Sequence, residues 1–444
     1  MLRTPLLMII GLLILACASG RTMGAHAQGN DEVTTLNGRV AELIRQGRYA
    51  EATPLAERAL ALAESAPGGP HLAAPVSANN LGVLYQMQGR YTEAEPLLRR
   101  ALERTEQILG PRHSGTLGLL NNLAELYRAQ ARYGEAETLF RRALEGQEQS
   151  LGAEHLATLT TVNNLAALYD DMGRYPEAEA LHRRALETRE RVQGPEHPDT
   201  LKGINNLASV YLHHGRYDKA EPLFRRVSET SERLLGSEHP DTLTAMNNLA
   251  GVYNSEGRLD EAEALYRRVL QLRERVQGTE HPSTLKSVNN LASAYQDQRR
   301  YKEAEPLFLR ALESSERVLG REHPDTLTSV NNLAQLYRIE GRYDEAEALF
   351  RRASEAAERT LGHEHPQTLV ILGNLALLYD TQRRYGDAEA LYRRLSDARE
   401  RVLGRDHPGA LRSRANLATL YRRQGRYDEA EPLYRPVLDR KSVV

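Results

Sequence analysis

The chain of 444 residues carries 58 Lys+Arg against 60 Asp+Glu, a formal net charge of −2, so it lacks the basic excess by which a protein holds nucleic acid. Hydrophobic residues make up 41% and charged residues 27%, the balance of a folded chain and not of a disordered one. Cys17 is the only cysteine, which excludes an internal disulfide and a multi-thiolate metal site.

The N-terminus reads as an export signal over residues 1–27. Arg3 supplies a basic start, and the apolar run Leu6 to Ala18 is shorter than a bilayer-spanning helix needs. Ala16-Cys17-Ala18 and Ala25-His26-Ala27 both fit the small-x-small cleavage pattern. Ile14-Leu15-Ala16-Cys17 resembles a bacterial lipoprotein box, in which Cys17 would carry the lipid, although Leu15 is bulky for its place. A cleaved secretion signal, a lipidated form and an uncleaved anchor stay open. The expectation is an exported bacterial protein, periplasmic or secreted, or lipid-anchored, with a short linker over 28–35 and one repeat domain over 36–444.

A strict period of 42 residues governs the rest. Asparagine recurs at 80, 122, 164, 206, 248, 290, 332, 374 and 416, and tyrosine at 85, 127, 169, 211, 253, 295, 337, 379 and 421. A degenerate first copy keeps phase, since Gly47-Arg48-Tyr49 lies 42 residues before Gly89-Arg90-Tyr91. That makes about ten units.

One unit, residues 240 to 281, predicts two helices. Leu243, Met246, Leu249, Ala250 and Tyr253 share one helical face, and Gly257 suits the turn that follows. Ala262, Leu265, Tyr266, Val269, Leu272 and Val276 form a second stripe, which Gly278 ends. Pro282 fits the first position of the next helix, where its missing N–H costs nothing. One hairpin cannot bury both stripes, so neighbouring units must stack. Glu-to-Arg pairs four residues apart, such as Glu95–Arg99, Glu137–Arg141 and Glu263–Arg267, support the second helices with roughly 0.2–0.5 kcal/mol each. The predicted fold is all-α, a right-handed superhelical solenoid of antiparallel helix pairs.

The spacing Leu120-x2-Leu123-Ala124-x2-Tyr127, followed by Ala136-x3-Phe140, resembles the tetratricopeptide pattern with its Trp replaced by Leu. The 42-residue unit, with its Asn-Asn-Leu-Ala-x-x-Tyr, Gly-Arg-Tyr-x-Glu-Ala-Glu and Gly-x-Glu-His-Pro-x-Thr-Leu motifs, is similar to the repeats of kinesin light chains and their bacterial relatives. That resemblance implies first helices lining a concave groove, with asparagines bonding the backbone of bound peptides. Kinesin light chains also have an N-terminal heptad coiled coil; this chain has an export-like segment instead, so the resemblance does not extend to motor attachment.

Asparagine is a poor helix-interior residue, so its recurrence in mid-helix needs a reason. The resemblance carries peptide binding onto Asn80, Asn122, Asn164, Asn206, Asn248, Asn290, Asn332 and Asn374, and the amide chemistry fits, because it offers a donor and an acceptor to any extended backbone. The preceding Asn121, Asn163, Asn205, Asn247, Asn289 and Asn331 join them; Gly373 and Ala415 replace that residue late in the chain. The alternative is that each amide bonds a neighbouring helix and holds the stack. Specificity is expected from groove positions that vary, among them Arg128, Lys202, Lys286 and Arg338.

The expected partners are therefore proteins or extended peptides, with no nucleic acid, no metal and no cofactor. The tyrosines and phenylalanines fall in repeat columns and read as packing. Nine of 14 histidines also recur in one column, too far apart to share a zinc ion, and read as helix caps. No acid, base or nucleophile stands outside the repeat, so the chain is not expected to be an enzyme. The second expectation is an architectural, self-assembling role in a cell-envelope complex. Pro436 replaces the second Arg of its Arg-Arg pair, and the C-terminal end would self-associate there.

Overall fold

The computed structural model describes residues 26–65 and 72–441. The segment expected to be an export signal, through Ala25 and with Cys17, and the first histidine of the column, His71, lie outside the described residues. So does the side chain of Pro436.

Twenty helices and no strand occur among the described residues. The first helices of the ten pairs are α1 (His26–Arg45), α3 (Ala73–Met87), α5 (Ser114–Ala129), α7 (Leu156–Asp171), α9 (Pro198–His213), α11 (Pro240–Ser255), α13 (Pro282–Asp297), α15 (Pro324–Ile339), α17 (Pro366–Thr381) and α19 (Pro408–Arg423). The second helices are α2 (Tyr49–Ser65), α4 (Tyr91–Leu109), α6 (Tyr133–Ser150), α8 (Tyr175–Gln193), α10 (Tyr217–Leu235), α12 (Leu259–Gln277), α14 (Tyr301–Val318), α16 (Tyr343–Thr360), α18 (Tyr385–Leu403) and α20 (Tyr427–Lys441). Helix α1 runs through the stretch 28–35 that the sequence reads as linker. Val33 on it is buried with Val40, Leu43 and Ile44, so the degenerate copy is a complete helix pair.

Two compact units divide the chain. One holds the residues up to Asp170 with Tyr175–Ser287; the other holds Asp171–Arg174 with Val288 onward. Inside each, a helix packs on its successor. Leu243, Met246 and Val269 form one such core, closed by Leu265 and Leu272. Phe140, Phe224, Phe308 and Phe350 are fully buried in the second-helix aromatic column. The predicted stripe overreaches at its end, because Val276 is 44% exposed.

Local signals fix the pair. His113, His197, His239, His281, His323, His365 and His407 each cap a first helix, the ring Nδ1 accepting the N–H two residues on. This satisfies one orphan donor of the helix start. The turn inside the pair needs a left-handed residue, supplied by Gly257 at φ 79°; Ala131, Arg299 and Arg383 take the same conformation at 60°, 61° and 63°. A side chain there costs on the order of 1 kcal/mol.

Neighbouring first helices touch directly, as α1 does α3 and α15 does α17, while among the described residues no two neighbouring second helices make comparable contact. The second helices are spanned instead by long ion pairs, Arg184–Glu148 at 2.6 Å and Arg226–Glu190 at 3.0 Å, with Arg142–Glu106 and Arg352–Glu316 alike. In these pairs the first helices form the closer-packed row. Cross-repeat bonds tie the two rows: Glu95, paired on its own helix with Arg99 at 2.9 Å, also accepts from the Tyr127 hydroxyl of the next repeat at 3.2 Å and from Arg132 at 2.7 Å. Burial pushes the Glu95 carboxyl up, but the guanidiniums, Arg132 foremost, hold it below its ordinary value.

Candidate functional site

The paired asparagines form a hydrogen-bond ladder along the first helices. The second Asn of one repeat donates to the first Asn of the repeat before it. Asn80 donates to Asn37 at 3.0 Å, Asn122 to Asn79 at 2.8 Å, Asn248 to Asn205 at 2.8 Å, Asn332 to Asn289 at 3.5 Å and Asn374 to Asn331 at 2.8 Å. The first Asn donates forward to a hydroxyl of the next repeat, as Asn37 to Ser77 at 3.0 Å, Asn121 to Thr161 at 2.8 Å and Asn289 to Ser329 at 2.9 Å. These amides therefore hold neighbouring repeats in register, each bond adding about 0.5–1.5 kcal/mol. Asn163, Asn164 and Asn247 are buried, and Asn206 and Asn290 are half-buried.

Asn37 begins the ladder, and counting back 42 residues from Asn79 finds it in the sequence. At that end Asn37, Asn79, Asn80 and Asn122 line a shallow concavity with Val40, Ala41, Ile44 and Val83. Amides engaged with one another still present spare lone pairs and protons there.

A second column lies one residue beyond the first-helix tyrosines. It reads Gln86, Arg128, Asp170, Leu212, Asn254, then Gln296, Arg338, Asp380, Arg422. Gln-Arg-Asp thus occurs twice, five repeats apart. Buried polar atoms without a hydrogen-bond partner gather here: Gln86 Oε1, Asp170 Oδ1, Gln296 Oε1, Arg338 Nε and Asp380 Oδ1. Native proteins leave few such atoms, and each asks for an explanation.

The two occurrences build equivalent clusters, one in each unit. In the first, Arg128 donates to both oxygens of Glu125 at 3.0 and 2.8 Å. His182, 2% exposed in a column otherwise rich in Phe and Tyr, lies 2.9 Å from Asn163 Oδ1 through its Nδ1. An acceptor on one side makes the imidazole the donor. Burial, with Arg189 and Arg128 adding to it, drives the His182 pKa down to about 3, so the ring is neutral. Asp170 Oδ2 accepts from His213 at 2.6 Å.

In the second cluster Gln335 stands where Glu125 stands in the first. Arg338 Nη2 donates to Gln335 Oε1 at 3.1 Å, and no carboxylate pairs with Arg338 among the described residues. Burial lowers its pKa, against the pull of Tyr343 and Tyr392. Tyr392 replaces His182. Its hydroxyl is pushed up to about 12 by burial and Asp380, against Arg423 and Arg338, and bonds no group among the described residues. Asp380, 6% exposed, accepts from Arg423 at 2.5 Å.

The remaining expected residues lie apart from these clusters. Lys202 is 43% exposed, with Nζ 3.9 Å from Asp199 and 3.8 Å from Asp241. Lys286 is half-buried and engaged with neighbours. Among the described residues, no helix is long and apolar enough to cross a membrane.

Comparison with known proteins decides the family. Nine overlapping matches to the tetratricopeptide repeat model run from residue 31 to residue 441. The chain belongs to the tetratricopeptide repeat family. A Podosopora anserina protein assigned as a kinesin light chain, with nearly identical repeats of this kind, is 30% identical over 47% of this chain and 98% of its own, with a TM-score of 0.39. The repeats are thus of the kinesin-light-chain-like type. Two structures that share the fold cover more of the chain. Rap protein complexed with Competence and Sporulation Factor is 14% identical over 84% of this chain and 99% of its own, at a TM-score of 0.56. The apo quorum sensor NprR from B. thuringiensis is 13% identical with the same coverage, at 0.50. No curated protein sequence matches the chain.

Proposed function

We propose that this tetratricopeptide array, of a family that typically mediates protein interactions, is a non-catalytic scaffold that holds extended segments of partner proteins along its first helices. The observation that carries the reading is the concentration of buried, unpartnered polar atoms in one first-helix column. An extended segment supplies alternating N–H and C=O groups, the partners those atoms lack. The Rap complex with Competence and Sporulation Factor is compatible with this use of the fold.

Fluorescence anisotropy with a positional-scanning library of synthetic octapeptides tests it. The Gln86→Ala/Gln296→Ala variant should bind the preferred octapeptide about tenfold more weakly, the worth of roughly one hydrogen bond, and Arg268→Ala on the outer row should bind it unchanged. Equal affinity in both, or no octapeptide bound by the intact array, ends the reading.

The same proposal places the protein outside the bacterial cytoplasm, exported by residues 1–27 as a free protein or held by a lipid on Cys17. Fractionation of wild type and Cys17→Ala checks this; an uncleaved cytoplasmic product contradicts it.

A further inference from the structure

We propose that the first unit carries an acid-opened clasp: the turn between α1 and α2 is seated against the start of α13, and it parts when His281 takes up a proton. The inference is independent of the peptide-binding reading.

The contact itself is specific to this turn. Gly47, between α1 and α2, is buried, whereas the corresponding Gly215, Gly257, Gly341 and Gly425 are exposed. A β-carbon on Gly47 would stand 2.8 Å from Pro282 Cδ and 3.3 Å from His281 Nε2, closer than packed atoms settle. On the four exposed glycines it would meet nothing within 4 Å. All five have positive φ, so the left-handed turn accounts for each glycine, and close approach is a further demand at Gly47. The second unit has the same arrangement: a β-carbon on Gly173 would stand 2.5 Å from His407 Nε2. Residues 47 and 281, like 173 and 407, are 234 apart, so the seat follows the repeat register. His239 makes the same cap on α11, and none of these turn glycines rests on it.

The imidazole couples that contact to acid. His281 Nδ1 accepts the Ser283 N–H at 3.1 Å, so the neutral ring carries its proton on Nε2, the atom turned to Gly47. A second proton goes to Nδ1. It makes the cap's acceptor a donor facing a donor and leaves the first turn of α13 short of a partner. The new charge also sits at the positive end of that helix. Burial first, and Arg273 on α12 second, hold the imidazole below its ordinary value. The other charges around the seam are Glu280 before the cap, Lys286 on α13 and Arg48 beside Gly47, which Glu51 engages at 2.6 Å and Gln46 at 3.1 Å. None of them counters the shift. Protonation therefore drives the ring from its cap. Because Gly47 rests on that ring and on Pro282, the ring cannot swing without unseating the turn. The closed form holds above the ordinary histidine value of 6.5 and gives way as the pH falls below it.

Double electron–electron resonance on the full chain tests this. Cys17→Ala removes the native thiol, and Ala50→Cys and Thr279→Cys carry spin labels on exposed residues either side of the seam. One short distance should dominate at about pH 8, and a longer population should grow several-fold towards about pH 5. His281→Asn keeps a capping oxygen and does not titrate, so its distance should stay short throughout. His239→Asn should leave the acid change as it was. Gly47→Ala should part the seam already at about pH 8, whereas Gly257→Ala, with similar φ and open space around it, should not; this pair decides the matter if His281→Asn does not fold. Helix content is followed at each pH by circular dichroism. An acid change that is absent, that persists in His281→Asn, or that comes only with loss of helix overturns the clasp. So does a seam that stays shut in Gly47→Ala.

Discussion

Arg128 on α5 and Arg338 on α15 hold the same place in the repeat, five repeats apart, and their circumstances are opposite. Arg128 is closed by Glu125 on its own helix; Arg338 faces Gln335. Below them the aromatic column offers His182, a neutral donor already bonded to Asn163, against Tyr392, whose hydroxyl is uncommitted among the described residues. Beside them Asp170 and Asp380 take His213 and Arg423 through the same oxygen. The repeat register dictates where a side chain stands. The residue one helical turn earlier decides whether its charge is spent inside the array or left without an anion.

Several substitutions bear on the difference between the two clusters. The largest effect belongs to the column floor. Tyr392→Ala should cost about 3–5 kcal/mol, as removal of a buried aromatic does, read as a lowered urea midpoint. Next comes the aspartate pair. Arg423→Ala leaves Asp380 buried without a cation and should cost roughly 1–3 kcal/mol, discounted because Arg423 is itself 51% exposed. His213→Ala should cost less, since its partner Asp170 is 12% exposed against 6% for Asp380. Equal losses would show that Arg423 and His213 do not differ as described.

His182 makes the first unit acid-sensitive. Its folded pKa is about 3 and its ordinary value 6.5, so the unfolded chain binds a proton that the folded ring refuses across that window. Stability is full above about 6.5 and falls as pH drops towards 3. His182→Phe, with Phe140 and Phe224 as its column neighbours, should flatten that part of the profile, leaving the carboxylates to titrate; an unchanged slope would place the acid sensitivity elsewhere. The smallest effects lie in the turns. Ala131→Gly in the first unit and Arg383→Gly in the second should each stabilise by up to about 1 kcal/mol, because both residues sit at positive φ, and differential scanning calorimetry would show it.

Most of the fold is legible in the sequence, because a period of 42 residues repeats every local instruction: apolar faces, turn glycine, capping histidine. Asn37 and α1 escape a reader only because the first copy has lost its motif while keeping its phase. The site is less legible. The asparagine spacing marks a row of amides but not their partners, and the structure commits many of them to one another. Arg128 and Arg338 look alike from their own column, since their difference sits at 125 and 335. His182 reads as one more packing residue until its burial and its bond to Asn163 are seen. A recurrence of Gln-Arg-Asp after 210 residues is the signal that would have found both clusters.

The difference between the two arginines is tested most directly by the urea midpoint of Gln335→Glu, which gives Arg338 a carboxylate in place of the neutral amide it bonds. The midpoint should rise by the worth of one charge-assisted hydrogen bond, roughly 1–3 kcal/mol at most. An unchanged or lowered midpoint would contradict the claim that Arg338 lacks the anion that Arg128 has in Glu125.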